Sequence, residues 1–230
     1  PIKLKSSKNN DFIEIKSSNF SGFNYKLPGD ISSSAFFIVL TLLSKNSNLV
    51  IKNVNINPSR IGVITILNKM GAKIKFKNKK TYMGEKIADI YVKSCKNLKS
   101  INCPSYLNSS AIDEFLIIFL VAAKARGISK FKNLSELNQK ESPRLHIGSQ
   151  ILKRMGIKTV LKKDSIKIIG NPNISLNSSF KIKNFYKDHR VFMMCVIAGL
   201  VFGGNWKIND KDSIKSSFPD FLRKINELKK

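Results

Sequence analysis

Three stretches of the chain are apolar on every face of a helix: "AFFIVLTLL" (35–43), "FLIIFLVAA" (115–123) and "VFMMCVIAGL" (191–200). A helix without a polar face has to be surrounded by protein. Each of the three opens a recurring order of elements. The first round runs through a helix in "DISSSAFFIVLTLLSK", a strand in "NLVIKNVNI", a second helix in "PSRIGVITILNKMG", and alternating strands in "AKIKFKN" and "ADIYVKS". The second round repeats it with a helix in "SSAIDEFLIIFLVAAKARG" closed by Gly127, a strand in "ISKFKNL", a helix in "SPRLHIGSQILKRMG" closed by Gly156, and strands in "IKTVLKK" and "SIKIIG". Met70-Gly71 answers Met155-Gly156 at the foot of the second helix, where glycine suits the left-handed residue after a helix end. A third round has a helix in "HRVFMMCVIAGLVFG", a strand in "NWKIN" and a helix in "FPDFLRKINEL", without a closing strand pair. Ahead of all of them, "PIKLKS" and "DFIEIKS" read as two strands.

The pattern predicts an α/β fold of repeated βαβαββ units, helices buried together at the centre and sheets outside, with the third unit incomplete. An ordinary α/β layer buries its sheet instead. Packed side by side in one sense, the three apolar helices would bring their N-termini to one end.

Composition alters this picture little. A 42% hydrophobic content with 15 Phe supports a sizeable core. The 41 Lys+Arg against 15 Asp+Glu leave a net charge of +26, a field that attracts anions. Most of the excess is Lys travelling with Asn and Ile, as a coding bias would scatter it over solvated faces. A nucleic-acid-binding domain would interleave exposed aromatics with its cations. Here the aromatics sit in apolar runs, so no specific nucleic acid is expected, only salt-sensitive sticking. Cys95, Cys103 and Cys195 form neither a metal spacing nor a disulfide framework. An odd thiol count fits a reducing cytoplasm. No stretch has the length of a membrane-spanning helix or the pattern of a signal peptide. The chain opens at Pro1 inside a strand-like pattern and reads as part of a longer one.

The chemistry-bearing residues fall at the helix starts. "PGDISSS", "NSSAIDE" and "KDHR" precede the apolar helices; "PSR", "KESPR" and "KSSFPD" precede the others. Helix N-termini present unpaired N–H groups and the positive end of the macrodipole. Arg144, Lys140 and Arg190 at such places oppose that dipole, and are better explained as ligands for a phosphate or carboxylate. Asp113 and Glu141 among them are candidates for proton transfer. Each has a plainer reading: Asp113 as a helix cap, Glu141 as a dipole partner or the mate of Lys140, His189 as a structural histidine. There is no phosphate-binding glycine loop, dinucleotide fingerprint or zinc spacing. The residues by themselves indicate an α/β protein of repeated units with an anion site.

"LPGDISSSAFF", "NPSRIGVITILNKMGA", "AIDEFLII", "LNQKESPRL", "DHRVFMMCVIAGL" and "SIKSSFPDF" resemble, in order and over nearly the whole chain, the motifs of the 5-enolpyruvylshikimate-3-phosphate synthases. "SSFP" and "IDEF" look like the subgroup typified by glyphosate-tolerant bacterial members of this glyphosate-target family. The resemblance implies two domains of three repeats each, with the active site in the cleft between them. Residues 1–27 would be the last strands of an N-terminal domain and the hinge, and residues 28–230 the C-terminal domain. The other domain would supply a lysine, arginines and a Ser-Ala-Gln stretch. The implied reaction transfers the enolpyruvyl group of phosphoenolpyruvate to the 5-hydroxyl of shikimate 3-phosphate, releasing phosphate, in a monomeric enzyme that needs neither metal nor organic cofactor. By motif position Asp113 and Glu141 would be catalytic. Lys140, Arg144 and Arg190 would bind substrate, with His189, Lys215 and Ser216 as further candidates. Pro143 stands where relatives carry an acid, Asn138 where an arginine is frequent, and Ser216 where some carry a lysine. A UDP-N-acetylglucosamine enolpyruvyl transferase is the neighbouring alternative, disfavoured by "KESPRL" and "DHR". Alone, the 230 residues would hold half a cleft and be inactive.

Overall fold

The structure, a computed structural model, describes residues 2–7, 10–19, 21–183 and 185–228. Its centre is helical. Helices α1 (Ile31–Leu43), α4 (Phe115–Lys124) and α6 (His189–Phe202) touch one another. Every residue from Phe115 to Ala123 is buried. Ile117, Ile118 and Val121 are indifferent helix formers, each a few tenths of a kcal/mol worse than alanine. Burying such side chains contributes roughly 1.5–3 kcal/mol apiece, so packing decides the conformation. Asp30 starts α1 by accepting from the Ser33 backbone N–H at 2.8 Å. Asp188 starts α6 by accepting from that of Arg190 at 2.9 Å.

Each central helix backs onto strands of its own round: α1 onto β3 (Asn48–Asn55) and β5 (Glu85–Lys93), α4 onto β8 (Ile166–Gly170), and α6 onto β10 (Gly203–Ile208). The first two sheets share one topology. With β4 (Lys75–Tyr82), the first has the order β3-β5-β4. With β6 (Gly127–Phe131) and β7 (Thr159–Leu161), the second has the order β6-β8-β7. All pairings in both are antiparallel. The last strand of each unit is thus the middle one. Helices α2 (Gly62–Lys69) and α5 (Arg144–Arg154) end alike, with Gly71 and Gly156 at φ of 96° and 78°. The two-unit repeat is real.

The third round differs from expectation. It includes a strand that hydropathy leaves unmarked, β9 (Leu176–Ile182), which pairs in parallel with β10. The segment "LNSSFKI" is largely polar, and only Phe180 and Ile182 turn inward. Helix α7 (Phe221–Glu227) lies against α1 through Phe36, Phe37, Phe218 and Phe221, whose rings stand 5.7–6.0 Å apart. The amino-terminal strands β1 (Ile2–Ser6) and β2 (Asp11–Ile15) pair with each other as a separate antiparallel sheet. No helix among the described residues is long and apolar enough to cross a membrane.

Three boundaries also move. The helix expected over 109–127 is two helices, α3 (Asn108–Ala111) and α4, separated by a turn at 112–114. Periodicity does not show this, because Asn108–Ala111 is too short and polar to register as a helix of its own. Gly127 opens β6 rather than closing a helix. Helix α2 starts beyond Arg60, because Asn57 turns the preceding chain by accepting from the Ser59 backbone N–H at 3.0 Å.

Candidate active site

The starts of the central helices meet at one end, as the pattern of apolar helices predicts. The Ser32 hydroxyl, in the first turn of α1, donates to Glu114 at the head of α4 across 2.5 Å. Arg190, in the first turn of α6, places its Nη1 3.5 Å from the same Glu114 oxygen and donates to the Asp113 carbonyl at 2.9 Å. Arg60, before α2, reaches in to donate to Ser32 at 3.0 Å. The break at 112–114 is what turns Asp113 and Glu114 into this junction.

Arg144, the first residue of α5, occupies the deepest position. It is 1% exposed, the largest fully buried side chain among the described residues. Its Nε donates to Asp188 Oδ2 at 2.8 Å and its Nη1 to Asp113 Oδ1 at 3.3 Å, while Nη2 reaches Glu141. Asp188 takes a further bond from the Ser142 hydroxyl at 2.7 Å. Arg144 is therefore answered by the neighbouring Glu141 and by carboxylates from two other segments, Asp188 and Asp113. The dipole that Arg144 opposes is a small effect beside these buried pairs. Asn138 contributes too, accepting from the His146 backbone N–H at 3.3 Å near the start of a helix whose cap, Pro143, has no side-chain acceptor.

Lys140 lies at the mouth, 3.6 Å from Asp113 and 3.1 Å from Glu136. Glu141 is the open member of the cluster, its side chain 52% exposed against 28% for Asp113. Burial pushes the Asp113 carboxyl up, but the charges of Arg190, Lys140, Arg144 and Arg60 together outweigh it and hold the group below its ordinary value. Asp188 is likewise held low: burial is overcome by the bond and charge of Arg144, then by Ser142 and the Arg190 N–H. For Glu114 burial wins over Ser32 and Arg190, and its proton affinity is raised. Two adjacent carboxyls, Asp113 and Glu114, are thus driven in opposite directions, a pattern typical of reactive sites.

Between the starts of α1 and α6 lies a cleft of about 170 Å³, lined by Ser32, Ser33, His189, Arg190, Ser217 and Phe218 among others. Burial and the charge of Arg190 push the His189 imidazole down, toward its neutral form. Helix N-termini, an arginine and hydroxyls around a small space can take an anion.

The family model for EPSP synthase (3-phosphoshikimate 1-carboxyvinyltransferase) matches residues 1–225. The chain belongs to the EPSP synthase family. It is 38% identical over 211 residues to the 3-phosphoshikimate 1-carboxyvinyltransferase of Petrotoga mobilis, covering 92% of this chain and 48% of that protein. With the same enzyme of Zymomonas mobilis it is 39% identical over 204 residues, 88% of this chain and 45% of the relative. EPSP synthase from Acinetobacter baumannii superposes with a TM-score of 0.89 at 34% identity, over 98% of this chain and 51% of that one. The enolpyruvyl transferase NikO from Streptomyces tendae shares the fold, with a TM-score of 0.72 at 13% identity over 99% and 50% of the two chains. The chain spans about half the length of the curated relatives it matches.

Of the site residues expected from the resemblance to EPSP synthases, Asp113, Lys140, Glu141, Arg144 and Arg190 come together in one cluster, and His189 lines the adjoining cleft. Lys215 and Ser216 do not line it; both are exposed, and Lys215 pairs with Asp212 at 2.9 Å. Ser217, one residue further, lines the cleft instead. Two organising residues went unmarked in the sequence. Asp188 carries a legible signal as the acid just before an apolar helix. Glu114 carries one as the second of two adjacent acids, the one that directly opens an apolar run.

Proposed function

We propose that this chain forms one wall of an EPSP synthase active site, transferring the enolpyruvyl group of phosphoenolpyruvate to the 5-hydroxyl of shikimate 3-phosphate. The observation that supports the reading is the convergence of Asp113, Lys140, Glu141 and Arg190 on the shared end of the central helices, beside a cleft suited to an anion. Residues 1–27 belong to the other domain and hinge, and residues 28–230 make the C-terminal domain of a monomeric cytoplasmic enzyme. Lys140, Arg144 and Arg190 bind the carboxylate and phosphate of phosphoenolpyruvate, with the second wall supplied by the half of the protein that this chain does not span.

The hydroxyl oxygen bonds to C2 of phosphoenolpyruvate and gives its proton to Asp113, which is ionised because its cationic neighbours outweigh burial. Glu141 delivers a proton to C3, and a tetrahedral intermediate results. Glu141 then takes a proton back from C3, the bond from C2 to the phosphate oxygen breaks, and inorganic phosphate leaves with the proton that Asp113 had received. Glu141 suits this two-way role because its side chain is half-exposed, and on moving away it leaves Arg144 Nη2 to the substrate anion while Asp188 keeps Nε.

The test uses the full-length polypeptide containing these residues. Phosphate release is measured with shikimate 3-phosphate and, separately, with UDP-N-acetylglucosamine as acceptor. Turnover with the first supports the reading; turnover with the second alone overturns it. Glu141→Gln should abolish turnover and leave ligand binding largely intact, and unchanged turnover would remove Glu141 from the mechanism.

A further inference from the structure

We propose that Glu114 is a positioning residue: its buried carboxylate aims the Arg190 guanidinium at the anion cleft. The proposal rests on the function just assigned and adds to it a residue that need never touch substrate.

A carboxyl at the head of "FLIIFLVAA" is an expensive thing to bury. Glu114 is 3% exposed, and removing a charged group from water is costly unless partners replace the solvent. Its partners are specific. Arg60 Nη2 donates to Ser32 Oγ at 3.0 Å, and a guanidinium can only donate. The Ser32 hydroxyl is therefore free to direct its own proton to Glu114 Oε1, 2.5 Å away. The same oxygen faces Arg190 Nη1 at 3.5 Å.

On Arg190, the grip comes from two consecutive residues. Nη1 meets the Asp113 carbonyl at 2.9 Å as well as Glu114, while Nη2 lies 3.6 Å from Asp113 Oδ2. A planar, rigid fork held at both terminal nitrogens has its orientation set. With its side chain 13% exposed, Arg190 still reaches the cleft that it lines with His189 and Ser217. Three helix starts, α1 through Ser32, α4 through Glu114 and α6 through Arg190, are thereby locked to one carboxylate. A small displacement of a binding group costs much in a site of this kind.

A purely structural glutamate would, when altered, lower stability and leave substrate parameters alone. The measurement is steady-state kinetics of the full-length polypeptide carrying Glu114→Gln, Arg190→Lys, or both, with unfolding midpoints recorded alongside. Glu114→Gln keeps the shape and removes the charge. We expect it to raise KM for phosphoenolpyruvate about tenfold, leave KM for shikimate 3-phosphate and the midpoint nearly unchanged, and add nothing on top of Arg190→Lys. Unchanged KM values, an equal rise in both, or additive losses would overturn the proposal. Should Glu114→Gln fail to fold, Ser32→Ala replaces it, with a rise of about threefold in KM for phosphoenolpyruvate expected and no rise counting against. If the unaltered protein shows no turnover with either acceptor, the functional reading falls by itself. Positioning is then read from the Arg190 side-chain NMR signals, assigned by their loss in Arg190→Lys. Slowly rotating Nη protons that become averaged in Glu114→Gln support it, and identical signals in both proteins overturn it.

Discussion

Arg144 Nε donates to Asp188 Oδ2 across 2.8 Å, joining the first residue of α5 to the residue that caps α6. Both side chains are shut away from solvent, at 1% and 0% exposure. A guanidinium so placed cannot exchange its protein partner for water. The pair fixes the two helix starts relative to each other, and with them Glu141, Ser142 and Arg190.

Removing one partner of a buried pair leaves the other charge uncompensated and costs about 3–5 kcal/mol. Asp188→Ala should therefore lower the thermal midpoint by roughly 10 °C in a chain of this size. Asp188→Asn keeps the shape and one accepting oxygen, replacing the other by an NH2 group, and should cost less. Circular-dichroism melts distinguish the two; equal losses would mean that the charge is unimportant.

The pH dependence of stability follows from the same groups. Asp188 and Asp113 titrate below the ordinary 3.8 in the folded protein, so their contribution is full above that value and is lost as pH falls through their folded values. His189, lowered from 6.5, works in the same direction: the unfolded chain binds its proton first, so stability declines on acidification below about 6.5. Glu114, raised from 4.5, opposes them, favouring the fold toward lower pH between its unfolded and folded values. Urea midpoints measured from pH 7 to pH 3 should decline in two stages. His189→Gln should flatten the first stage and Asp188→Asn most of the second.

Gly170 ends β8 where the strand passes the foot of α4. A Cβ there would stand 2.0 Å from the Ala125 carbonyl oxygen and 2.5 Å from that of Ala122. Both are backbone atoms, so neither can swing away. Gly170→Ala should lose about 3 kcal/mol as an overpacked site. Gly156, with φ of 78° but open space around its Cβ, should lose only about 1–2 kcal/mol on the same substitution, from backbone strain. Chemical denaturation of the two variants ranks them; the reverse order would contradict the packing.

Asp113→Asn removes the base assigned to the acceptor hydroxyl while keeping its shape among Arg190, Lys140 and Arg144. A drop in kcat on the order of 10²–10⁴ is expected, the usual contribution of a positioned general base. Loss confined to KM would reassign Asp113 to binding.

The three all-apolar helices, their order and the doubled unit were legible along the chain, because a helix with no polar face has one solution, burial among its fellows. The gathering of Asp113, Lys140, Arg144 and Arg190 followed from it, since parallel packing brings helix starts to one end. Other features belonged to the tertiary structure alone. The turn at 112–114 reads in sequence as the first turn of one continuous helix, and it aims Asp113 and Glu114 at Arg190. Strand β9 is mostly polar, and β10 beside it makes it a strand. Arg144 reads as a ligand for a bound anion at a helix start, yet Asp188, 44 positions on, holds it buried against a carboxylate of the protein itself. Periodicity reports which face of an element meets the core; it carries no information on which distant charge will be waiting there. Local sequence therefore decided the layers, while pairings between remote residues, each favourable only once the chain has brought its partners out of water together, decided the site.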